Sequence, residues 1–88
     1  MKVVWKYRLQ FADEQVIEMP VGATVAHVGM QDGYLCLWMI VDPSQAKRGR
    51  HLYVRGTGHP LEDTLTYLGS AVEEDRPLVW HVFERKAE

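Results

Sequence analysis

The stretch TVAHVGMQDGYLCLWMIV, residues 24–41, decides the fold. At its centre Asp32-Gly33 separates two runs rich in β-branched, aromatic and long apolar residues. Asp-Gly is a preferred two-residue type I′ hairpin loop, because both central positions need positive φ. A turn there sets the register: Gln31 faces Tyr34, Gly29 faces Cys36 and His27 faces Trp38. Side chains alternate between the faces of a strand. One face then carries Thr24, Ala26, Val28, Met30, Leu35, Leu37, Met39 and Val41, which are apolar enough to form core. The other carries Val25, His27, Gly29, Gln31, Tyr34, Cys36, Trp38 and Ile40, a mixed aromatic face unlike a solvated one.

The same period of two runs outward from the hairpin. Residues 2–10 alternate, with Val3, Trp5, Tyr7 and Leu9 opposite Lys6, Arg8 and Gln10, which is the pattern of a half-buried strand. Residues 15–19 form a short strand that stops at Pro20, and 42–49 read as a loop. Residues 50–57 place Leu52 and Val54 on one side and His51, Tyr53 and Arg55 on the other. Residues 58–65 are a turn with room for one short helical turn, since Glu62 and Asp63 suit a helix N-terminus. Residues 66–73 are a strand with Gly69 as a bulge. Residues 78–85 carry Leu78, Trp80 and Val82 on one face and Val79, His81 and Phe83 on the other, the mark of a central strand. The predicted fold is all-β: a six- to seven-stranded antiparallel sandwich or small barrel with at most one short helical turn. It fills one domain over 1–85, with a frayed tail at 86–88. With no amphipathic helix to cover the second apolar face, either the sheet closes on itself or another subunit covers it.

The chain has 88 residues, and a domain so small buries only about 60–65% of its unfolded surface. Oligomerisation is one way to supplement such a core. With 47% hydrophobic and 25% charged residues the composition is that of a globular protein. A net charge of −2 argues against general nucleic-acid binding, which needs a basic field. The single cysteine, Cys36, rules out an internal disulfide and a cysteine-based zinc site and fits a reducing, cytoplasmic setting. The opening residues have neither the apolar run nor the cleavage site of a signal peptide. The uncharged run at 34–41 is far too short to span a bilayer.

The segment RGTGHP, residues 55–60, is the leading candidate site. Gly56 and Gly58 let successive backbone N–H groups form an anion-binding concavity. Arg55 can add a bidentate phosphate contact, and Thr57 and His59 further hydrogen bonds. The plainer alternative is a bulge and a turn ended by Pro60. His27 and Trp38 form an aromatic wall where a base can stack, as can Trp80; the alternative there is core or interface. The basic run 47–55, with Lys47, Arg48, Arg50 and Arg55, is either a solvated strand edge or an anion-binding rim continuous with RGTGHP. The four histidines form no metal-binding spacing, so no metal or cofactor is expected. A pairing of His59 with Glu62 or Asp63 for acid–base work is the one catalytic option.

The segments VWKYRL, IEMPVGATVAHVGMQDGYLCLWMIVDP, GTGHP and LVWHVFE together resemble a family of small accessory proteins encoded by bacteriophages and prophages. The resemblance runs from about Lys2 to Glu84 and carries no catalytic residues. It implies a protein that works in the cytoplasm of the infected or lysogenic host and counters a host defence. The expected function is binding without catalysis. In it a homo-oligomer sequesters a phosphorylated, nucleotide-derived signal through Arg55, Gly56, Thr57, Gly58 and His59, with Trp38, His27 or Trp80 stacking on its ring. The alternatives are a protein–protein inhibitor of a host defence enzyme, resembling an anti-CRISPR protein, and a small hydrolase using His59. No membrane partner is expected.

Overall fold

A computed structural model describes residues 1–86. Seven antiparallel strands build two sheets: β1 (Val3–Leu9), β2 (Gln15–Pro20), β3 (Thr24–Gln31), β4 (Tyr34–Val41), β5 (Lys47–Gly56), β6 (Leu65–Val72) and β7 (Val79–Arg85). One sheet has the order β1-β4-β3 and the other β2-β5-β7-β6. They stack as a β-sandwich, with Cα extents of 39 × 30 × 16 Å, the thin dimension spanning two layers. None of the described residues is helical, so the 58–65 segment is turn and extended chain. Leu65 N–H closes a turn on the Glu62 carbonyl at 3.3 Å. Lys86, assigned to the tail by sequence, donates its amide to the Thr64 carbonyl at 2.9 Å. Residues 87 and 88 lie outside the described residues.

The hairpin forms at Asp32 (φ 51°) and Gly33 (φ 81°), and the pairs Gln31–Tyr34, Gly29–Cys36 and His27–Trp38 are in register. A bulge between Val25 and His27 then shifts the ladder, so that Val25 pairs with Met39 and Thr24 with Ile40. The extra residue turns Thr24 and Ala26 out to solvent, against the core position that unbroken alternation predicts. The core is Leu35, Leu37, Met39 and Val41 of β4 packed with Met19, Leu52, Val54, Ala71 and Val82 of the other sheet. Each fully buried aliphatic or methionine side chain there contributes about 1.5–3 kcal/mol of transfer free energy.

The edges β3 and β6 draw together along one side of the sandwich. A Cβ at Gly69 would lie 2.8 Å from Val28 Cγ2, so glycine is what lets the sheets approach there. A bulge between Tyr67 and Gly69 accompanies this contact. The sandwich is also clamped between Arg50 and Glu84. The Arg50 guanidinium donates to both Glu84 carboxylate oxygens and to the Ala23 carbonyl, which ties β5, β7 and the start of β3 together.

Across the outer face of the four-stranded sheet, the register lines up successive rows. Val16 and His51 form one; Tyr53, Phe83 and Tyr67 the next; Arg55, His81 and Ser70 the third. Val79 and Val72 follow, beside the turn that leaves β5 at Gly56. These rows position the candidate site.

Candidate functional site

Gly56 ends β5 opposite Trp80 of β7, and the chain then turns through Thr57 and Gly58. Gly58 has φ 89°, a conformation that favours glycine. The turn is closed twice by His59. Its amide donates to the Gly56 carbonyl at 3.2 Å, and its Nδ1 accepts the Gly56 N–H at 3.1 Å. The imidazole therefore lies over Gly56, where a Cβ would approach within 2.9 Å of its Cε1. In neutral His59 the proton sits on Nε2, because Nδ1 is an acceptor. In that form the Nε2 edge of the ring is a hydrogen-bond donor.

Arg55 is a strut. Its guanidinium donates to the Asp13 carbonyl at 2.7 Å and the Val54 carbonyl at 3.1 Å, and pairs with Glu62 at 3.4 Å. Only 12% of its side chain is exposed. It holds the β1–β2 connection and the 58–64 segment against β5. Glu62 is thereby turned to Arg55, and among the described residues no carboxylate pairs with His59.

The register places His81 beside Arg55, and its ring is held at both nitrogens. Nε2 lies 2.8 Å from Thr57 Oγ1, and Nδ1 lies 2.6 Å from Ser70 Oγ. Ser70 Oγ is in turn 2.6 Å from the Tyr67 hydroxyl. Sequence reasoning placed His81 with Val79 and Phe83 on one face of its strand but had no means to join it to Thr57. The link depends on β5 pairing with β7 and on Ser70 lying opposite on β6. The β5–β7 pairing skips β6 and is not local in sequence.

Two depressions flank the turn. One, of about 240 Å³, is lined by Arg55, Thr57, His59, Leu61, His81 and Phe83 together with both glycines. The other, of about 430 Å³, is lined by Gly56, Thr57, His59, Pro77, Leu78, Val79 and Trp80. Five of the predicted ligand residues, Arg55 to His59, thus share one cavity, and Trp80 stands in its neighbour. Trp80 is mostly a packing residue: it leans on the core and meets the Phe11 ring at 5.0 Å. His27 and Trp38 do not join them. Their rings meet at 5.4 Å on the outer face of the other sheet, where Lys6 bonds Gln31 and Arg8 lies over Tyr34. The basic run is divided too. Arg50 is turned inward to Glu84 and Arg55 outward, so they form no continuous rim. Among the described residues no group of His, Cys, Asp and Glu side chains is placed to hold a metal ion.

The family described as a domain of unknown function (DUF7352) matches the chain over residues 1–88. The chain belongs to that family. No curated protein and no solved structure gives a match. Membership therefore leaves the site to be argued from its own geometry. Among the described residues of this family member no helix is long and apolar enough to cross a membrane.

Proposed function

We propose that the protein captures a small phosphorylated molecule in the cavity beneath the Gly56–His59 turn and acts by holding it. One observation carries this: a single cavity gathers the Thr57 hydroxyl, the rings of His59 and His81 and the Arg55 charge against an apolar wall of Leu61 and Phe83. Anions are recognised by convergent N–H and O–H donors in a positive local field. The adjoining depression offers Trp80, Leu78 and Val79 to a ring attached to that phosphate, and nucleotides combine these two parts. Thr57 and His59 make the direct contacts in this proposal, His81 holds the Thr57 hydroxyl in place, and Arg55 shapes the turn. The resemblance to phage accessory proteins supplies the biological setting: a homo-oligomer in the host cytoplasm that withdraws a nucleotide-derived defence signal.

Native mass spectrometry with AMP, ADP-ribose and a cyclic dinucleotide tests the proposal. The expected result is a discrete oligomer that retains one of them at each site. Loss of one charge-assisted contact costs about 1.5–3 kcal/mol, so Thr57→Val and His59→Ala weaken retention by about tenfold or more. A bare monomer that retains none of the three would overturn it. Weight would then move to inhibition of a host protein, which the exposed Val16, Tyr67 and Val72 on the outer sheet face favour.

A further inference from the structure

We infer that Thr57 is a nucleophile and His81 its general base, so that the protein carries an acyl-transfer centre in addition to an anion site. The inference goes beyond ligand capture and does not rest on it. Its basis is the chain Thr57–His81–Ser70–Tyr67. A nucleophilic hydroxyl is recognised by three relations: a base within about 2.6–3.2 Å, a third group that orients the base, and a place for the substrate beside them. Thr57 Oγ1 lies 2.8 Å from His81 Nε2, and His81 Nδ1 lies 2.6 Å from Ser70 Oγ. The Thr57, His81 and Phe83 side chains border the same cavity, so an ester can reach the hydroxyl.

The contacts allow two opposite directions of donation; in the one proposed, Thr57 O–H donates to His81 Nε2, His81 Nδ1–H to Ser70 Oγ, and Ser70 O–H to the Tyr67 oxygen. In that arrangement Nε2 is a free lone pair aimed at the Thr57 proton, the state a general base needs. Ser70 is a positioning residue, which fixes the tautomer and the ring. The turn residues also suit the role, because Gly58 at φ 89° lets the chain reverse directly after Thr57 and leaves its hydroxyl at the surface.

Thr57 Oγ1 attacks the carbonyl carbon of an ester, and its proton passes to His81 Nε2. The tetrahedral adduct collapses as the bond to the leaving oxygen breaks, and His81 returns the proton to that oxygen. The products are acyl-Thr57 and an alcohol. Water then attacks acyl-Thr57 by the same route, releasing the carboxylic acid and regenerating the hydroxyl.

The test is p-nitrophenyl acetate applied to the full chain, read by p-nitrophenolate release and by peptide mapping of the acetyl group. Lysine acetylation in the same samples serves as the internal dose control. The expected result is acetyl on Thr57, absent in Thr57→Val, with Thr57→Ser retaining it. A general base contributes about 10²–10⁴-fold, so His81→Gln lowers Thr57 acetylation by about 100-fold or more. Ser70→Ala lowers it and Ser70→Thr restores it, which loss of packing alone would not explain. Thr57 is exposed, so Thr57→Val keeps the fold and controls for any instability of His81→Gln. The proposal is overturned if folded wild-type protein carries no acetyl on Thr57, or if folded His81→Gln acetylates Thr57 as fast as wild type. Failure to retain AMP would leave this result standing, and absence of acetylation would leave the anion site standing.

Discussion

At Gly69 the space a side chain would take is already filled. Its virtual Cβ falls 2.8 Å from Val28 Cγ2 and 2.9 Å from Val28 Cβ, and Val28 belongs to the buried core. Gly29 meets an equally close neighbour, at 2.7 Å, but that atom is the Nε2 of the exposed His27 side chain, which can swing away. The two glycines therefore answer differently to one added methyl. Gly69→Ala forces the sheets apart or Val28 off its rotamer and costs about 1–3 kcal/mol. Gly29→Ala stays within about 0.5 kcal/mol. Urea unfolding of both variants measures the difference, and equal midpoints would mean that the sheets do not close through Gly69. Gly69 was legible as a bulge, since a glycine inside a strand pattern often marks one. Its role in bringing two sheets together was not legible, because Val28 lies 41 residues away in another sheet.

Among the elements, those marked by local chemistry were readable and those marked by a partner strand were not. The β3–β4 hairpin follows from Asp32-Gly33 and from unbroken alternation on β4. β5 begins at Lys47, earlier than its composition suggests, because Pro20 and Met19 of β2 pair with Lys47 and Arg48. Charged residues and Gly49 hide a strand whose evidence is a neighbour. The bulge at Ala26 is equally invisible, since nothing in TVAHV marks the shift. The candidate site divides in the same way: RGTGHP stands out by itself, whereas His81, Ser70 and Tyr67 join it only through the β5–β7–β6 ladder. The clamp between β5 and β7 gives a prediction at this scale. Glu84 accepts two hydrogen bonds from Arg50, whose guanidinium it holds protonated above the ordinary arginine range. Glu84→Gln keeps the shape, removes the charge and leaves Arg50 half-buried without its counter-ion. A hydrogen bond to a charged partner contributes about 1.5–3 kcal/mol, and the loss should be of that size. A thermal midpoint unchanged from wild type would show that Arg50 finds another partner.

For the molecule as a whole, stability should form a plateau bounded by two kinds of titration. Tyr7 packs against the core with its hydroxyl buried and, among the described residues, without a hydrogen-bond partner, and burial raises its pKa above the usual 10.0. A raised folded-state value means that the native protein holds this proton more tightly than the unfolded chain. The contribution is fully present below the unfolded tyrosine value and is lost as pH rises through the folded one. Asp42 and Glu73 act with the opposite sign. Hydrogen bonds from Ser44 hold the Asp42 carboxyl below its ordinary range, and the Arg76 guanidinium does the same for Glu73. Their contributions are present above the unfolded carboxylate values and are lost as pH falls through the folded ones. The Glu73 side chain is only 11% exposed but its partner Arg76 is exposed, so salt screens that pair in part. Tyr7→Phe isolates the alkaline limb. It deletes a buried hydroxyl that has no partner and keeps the ring, so it should raise stability at neutral pH by about 1 kcal/mol and flatten the decline above pH 10. Urea midpoints of wild type and Tyr7→Phe across this range, at fixed ionic strength, decide the matter. If the variant declines as steeply as wild type, the alkaline limb belongs to other groups, and the Tyr7 hydroxyl has found water in solution.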